Sequence, residues 1–244
     1  MRAIRAICVF SLVFALASPA LAGPENSVIG AKNLQEDMVH EGHAGMPGIG
    51  YGWWNKGPGA MDWSLNGDLI YGEWPVTLLR GLGVDIGLGL SSTLRWHLKT
   101  NTKEKVTNDV AIVAIPGIAI ARTPGKQFGF GVRLEVGAPL SIDVHEKVNV
   151  VTGGFIPVEF IIVDGNTTGA IPLMVRMGVE WQASDKVVPW LMFDLGPGIL
   201  VGSNVSGAQF AWRLLAGVTF WSILGNKGGG GPAPAAEPAA EAGY

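Results

Sequence analysis

The chain has 244 residues, of which only 15% are charged and 36 are glycine, about twice the usual share. Past the first 22 residues no stretch approaches the roughly 18 consecutive apolar residues of a transmembrane helix, which excludes a helical membrane protein. With 17 basic against 20 acidic residues there is no basic excess to hold nucleic acid, and the single cysteine, Cys8, sits in the leader, so the mature chain has no disulfide, thiol nucleophile or cysteine metal site.

Met1 to Ala22 reads as an export signal. Arg2 and Arg5 form a basic start, Ile7 to Leu16 an apolar stretch too short to span a bilayer, and Ala20-Leu21-Ala22 a small-x-small cleavage box before Gly23. Loss of Arg2 and Arg5 takes the net charge from −3 to −5. Residues 23–57 show no sustained period and read as an N-terminal periplasmic arm, although Ile49, Tyr51 and Trp53 would suit a short strand.

Strict alternation begins at Met61. Met61, Trp63, Leu65, Leu69 and Tyr71 share one parity, while Asp62, Ser64, Asn66 and Asp68 share the other. The run 82–98 repeats the scheme, with Leu88, Leu90, Leu94, Trp96 and Leu98 opposite Asp85, Gly87, Gly89, Arg95 and His97. So do 128–144, 171–182 and 209–220. Three further runs, 109–122, 155–164 and 187–202, alternate less well but are β-branched and bounded by turn signals such as Asp164-Gly165-Asn166. The pattern predicts an all-β, antiparallel up-and-down barrel of eight strands over 58–224, with loops at 100–109 and 145–154. A strand at 48–55 would require a tenth to keep the count even.

The apolar parity is expected to face outward. It is aliphatic almost without interruption, as a lipid-facing surface must be. Its aromatics sort by strand end: Trp63, Trp96, Trp181 and Phe220 at one rim, Tyr71, Phe128, Phe130, Phe210 and Trp212 at the other. The opposite parity mixes glycines with ions. Asp85, Arg95, Arg133, Glu135, Glu159, Arg176, Glu180, Asp194 and Arg213 form a candidate lumen network, because buried charges must be paired.

Three motifs invite a chemical reading and fall short of one. Ser141, Asp143 and His145 share a strand face, but the aspartate, not the histidine, lies between the other two. His40-Glu41-Gly42-His43 lacks the spacing of a helical zinc motif, and Gly81 to Gly87 lacks the strand-to-helix setting of a dinucleotide loop. No catalytic residue, cofactor or metal is expected.

Residues 48–222 resemble small bacterial outer-membrane barrels such as the OmpA transmembrane domain, OmpX and OmpW. The run Gln209 to Trp221 is similar to the aromatic-ending strand that barrel assembly machinery recognises, here followed by a flexible Gly/Ala/Pro-rich tail over 225–244 similar to the OmpA hinge. The resemblance implies insertion in the outer membrane of a Gram-negative cell, with lipid as the first partner. It also implies a non-enzymatic scaffold of an envelope complex, such as motility or surface machinery, contacted through tail or loops. The alternatives it leaves are a small OmpW-like channel and a lipid-modifying barrel enzyme.

Overall fold

The structure is a computed structural model that describes residues 23–24, 26–46, 48–72, 84–103, 106–122, 127–202 and 206–221. The leader and the tail 225–244 lie outside the described residues. The strands are β1 (Met38–Met46), β2 (Gly48–Lys56), β3 (Met61–Gly72), β4 (Val84–Lys103), β5 (Val106–Arg122), β6 (Phe128–His145), β7 (Val148–Val163), β8 (Asn166–Pro172), β9 (Met174–Trp181), β10 (Val187–Gly202) and β11 (Ser206–Phe220). All pair antiparallel, and β11 bonds to β10 on one edge and β1 on the other, so the sheet closes on itself. β8 and β9 lie end to end between β7 and β10, interrupted at Leu173, whose N–H donates to the Pro197 carbonyl. Counted as one stave, they make a barrel of ten.

Ten staves correct the eight expected. The missing pair is β1 and β2, within the segment read as an arm. The outward face of β1 carries His40, Gly42 and Ala44, so it lacks the aliphatic stripe by which the other strands announce themselves. Pairing with β11 and β2 holds it in the sheet regardless. Both expected loops are also strand. Lys99–Lys103 and Val106–Asp109 continue the β4–β5 ladder, and β7 starts at Val148 after the two-residue turn 146–147. Their polar and glycine-rich composition reads as loop, but ladder partners on both sides override propensity. At Asp164-Gly165 the turn signal is met: both residues have positive φ, 50° and 77°, joining β7 to β8 through the paired Val163 and Asn166.

The face assignment follows the alternation. Leu88 is 66% and Val175 52% exposed, and Ile86, Leu90, Ile118, Ile120, Leu134 and Leu214 join them on the outside. Arg95, Glu135, Glu180 and Asp194, of the opposite parity, are wholly buried within. On β4 the outward apolar side chains run from Ile86 to Leu98 and, past the bulge between His97 and Lys99, give way to Lys99 and Asn101. Twelve residue-to-residue steps at ~3.3 Å each, tilted ~40°, span roughly 30 Å. The longer strand therefore carries a polar tip beyond its apolar band.

The chain enters at Met38 and leaves at Phe220 on the same, proximal end of the barrel. The expected proximal aromatics Trp63, Trp96, Trp181 and Phe220 lie at that end, with Trp53 edge-on to Trp63 at 5.8 Å. Tyr71, Phe128, Phe130, Phe210 and Trp212 lie at the distal end, where the Tyr71 hydroxyl donates to the Gly45 carbonyl. β3 ends and β4 begins at that end too.

Candidate functional site

The interior is filled in layers. Nearest the proximal end lies the segment 23–37, which turns into the barrel before β1 begins and occupies its mouth. Val28, Ile29, Ala31 and Leu34 are buried there. Val28, Ile29 and Leu34 pack with Val39, Trp54, Val151, Val188, Trp190 and Trp221 of the wall and exit. This segment is a plug, not the periplasmic arm expected, because its apolar residues find a lumen of matching character.

The plug is fastened by polar side chains whose partners are its own backbone. Glu180, which makes no salt bridge among the described residues, accepts from Ser27 Oγ at 3.0 Å, the Val28 N–H at 3.2 Å and the Ile29 N–H at 3.4 Å, and from Asn149 Nδ2 at 2.7 Å. Arg95 donates to the carbonyls of Ser27 (2.7 Å) and Gly30 (3.1 Å) while pairing with Asp62 at 2.7 Å. The Leu34 N–H donates to that same Asp62, and Asn26 accepts from the Gln35 and Glu36 N–H groups, curling the plug on itself. At Gly30 a Cβ would collide with Ser141 Oγ, so the close approach requires glycine.

Ser141, Asp143 and His145 do not form a triad. Ser141 Oγ accepts the Ala31 N–H at 2.7 Å, Asp143 pairs with Lys32 at 2.6 Å, and exposed His145 accepts the Lys147 N–H. The first two are plug fasteners. His40 and His43 sit on opposite faces of β1 and cannot converge on one ion: His40 stacks on Phe220 outside, His43 lies inside. Among the described residues no group of three His, Cys, Asp or Glu is placed to hold a metal.

Above the plug lies the ionic layer. Glu135 meets Arg133, Arg176 (3.4 Å) and Arg213 (3.1 Å), while Asp194 meets Arg176 (2.9 Å) and Arg213. Arg133 also reaches Glu159 at 3.3 Å, and the Arg176 guanidinium lies 3.7 Å over the Phe155 ring. Each of the four arginines thus has a carboxylate. Eight of the nine residues expected in the lumen are found there; Asp85 lies on β4, but its side chain is outside the described residues. They divide into two assemblies, with Arg95 and Glu180 on the plug and the other six in the ring of ions.

Sequence reasoning missed Asp62 as the partner of Arg95, although its polar parity was the available signal. It also missed a cluster facing the remaining space. His43 Nδ1 lies 3.1 Å from Glu41 and Nε2 3.0 Å from Asp68, and Trp54 Nε1 donates to Glu41 at 2.8 Å. A cavity of about 190 Å³ separates this cluster from Arg133 and Glu159; Gly89, Gly117 and Gly131 in its wall leave the room for it. Toward the distal end Ile70, Ala119, Ala121, Ile161, Val163, Ala170 and Leu200 close in as a small apolar layer.

No protein-family model matches the chain, and no curated protein is detectably similar to it.

Proposed function

We propose that this chain is an integral outer-membrane β-barrel of a Gram-negative envelope whose lumen is closed, and that it serves as a non-enzymatic scaffold or attachment point. The observation that carries the reading is the inversion of the barrel: an aliphatic exterior such as Leu88 and Val175 around an interior of buried, mutually paired ions. Water would reward the opposite arrangement, whereas lipid rewards this one. Closure is supported by the plug and the ionic layer stacked across the bore, since a conduit keeps its charged side chains hydrated and separate. With both barrel ends of the chain on one rim, the widest interval between consecutive strands, from Gly72 of β3 to Val84 of β4, opens at the other, which matches short periplasmic turns and longer external loops. Contacts with envelope partners are assigned to those loops and to the tail.

The test is conductance of the purified protein in planar bilayers, together with fractionation and heat-modifiable mobility. The scaffold reading expects outer-membrane fractionation, a heat-modifiable band and almost no current. Recovery as a soluble periplasmic protein overturns the membrane assignment. A stable, ion-selective current overturns the scaffold in favour of a small channel.

A further inference from the structure

The plug begins at the residue that follows the cleavage box. Gly23 and Pro24 are buried inside the proximal mouth. Gly23 lies against the carboxylate of Asp143, a side chain only 1% exposed, so closely that a Cβ on Gly23 would collide with that carboxylate. Lys32 stands beside the pair, 2.6 Å from Asp143 Oδ1 and 3.4 Å from the Pro24 carbonyl. In the precursor the Gly23 nitrogen is a neutral amide.

We propose that the Ala22–Gly23 peptide bond is a processing site whose product is bound inside the barrel: the ammonium of Gly23 docks on Asp143 and completes the plug. Water adds across the bond, the leader departs with the new Ala22 carboxylate, and Gly23 keeps the nitrogen, which takes up a proton. One neutral donor becomes a cation with three, and charge-assisted hydrogen bonds are about twice as strong as neutral ones. A buried carboxylate needs such a partner, and Asp143 then has two, Lys32 and the chain's own start. Closure of the mouth is thereby tied to removal of the leader. The inference rests on the exported-barrel reading.

The experiment uses the protein processed from its own leader and purified from the outer membrane. Peptide mass mapping identifies its first residue and follows acetylation of the Gly23 α-amine in the folded and unfolded protein. The expected result is a start at Gly23 and labelling roughly tenfold or more slower in the folded state. Asp143→Asn should abolish the protection. So should two alanines inserted before Gly23, a variant that keeps Asp143 and guards against misfolding of the first. A different first residue overturns the inference, as does labelling at the unfolded rate in protein that keeps its heat-modifiable band. Absence of that band in the wild type overturns instead the barrel reading beneath it.

Discussion

Glu135 shows how a charge is kept in a barrel interior. Wholly buried, it is held by three guanidiniums, and two of them, Arg176 and Arg213, are shared with Asp194. Glu135→Gln leaves three cations to Asp194 and Glu159. Breaking a buried pair from one side typically costs ~3–5 kcal/mol. A loss of that size is expected in urea unfolding from lipid vesicles; a near-neutral result would mean that the layer is hydrated. Glu180 works differently, as an acceptor for plug donors. Glu180→Met strands Ser27 Oγ and the Val28 and Ile29 N–H groups, at about 1–3 kcal/mol for each buried donor left unpaired. Limited proteolysis should then cut within 26–34 in the variant and spare the wild type.

At the scale of the element, outward and inward faces of one strand answer to different solvents. Leu88 on β4 and Val175 on β9 stand on the outside, within the apolar band. Leu88→Arg and Val175→Arg should each lower refolding free energy into vesicles by about 2–4 kcal/mol if these positions lie near the bilayer midplane. The tip of the β4–β5 hairpin is a contrast, since Thr100, Thr102 and Thr107 lie beyond that band. Thr102→Arg should change the same free energy by no more than about 0.5 kcal/mol, as surface substitutions do. Equal penalties at Leu88 and Thr102 would place the band elsewhere on the strand.

For the whole molecule the question is what two stacked seals do. The plug fills the proximal mouth, and the ring of Arg133, Glu135, Arg176, Asp194 and Arg213 crosses the bore behind it. Neither depends on the other for its ion pairs, apart from a single bond from Arg176 to the Ile29 carbonyl at 3.4 Å. Deleting residues 26–34 should therefore lower the thermal midpoint, because Trp54, Trp190 and Trp221 lose their packing, yet admit little current. Combining the deletion with Glu135→Gln should open the lumen. Bilayer recordings of the three variants check the order: a large current from the deletion alone would make the plug the only seal.

The sequence by itself determined the all-β class, the direction of each long strand, its outward face and the ends at which aromatics gather. These follow from a period of two, which is local and written in every strand. It also put Arg95, Glu135, Glu159, Arg176, Glu180, Asp194 and Arg213 on the inner parity, where a charge has nowhere else to go, but not Glu41, in a segment without period, or Asp109, in an expected loop. The number of staves was decided by the tertiary structure, since β1 has no apolar stripe and is a strand only through its neighbours. The ladders of 99–103 with 106–110 and at 148–154 and the pairing of Arg95 with Asp62 were decided the same way. The plug was the least legible feature. Residues 23–37 have no period, and what orders them is the complementary wall of a closed barrel, with Glu180, Arg95 and Ser141 aimed at their backbone from staves 65 to 152 residues away along the chain. Contacts of that separation exist only once the ring has closed, which is why no local pattern could announce them.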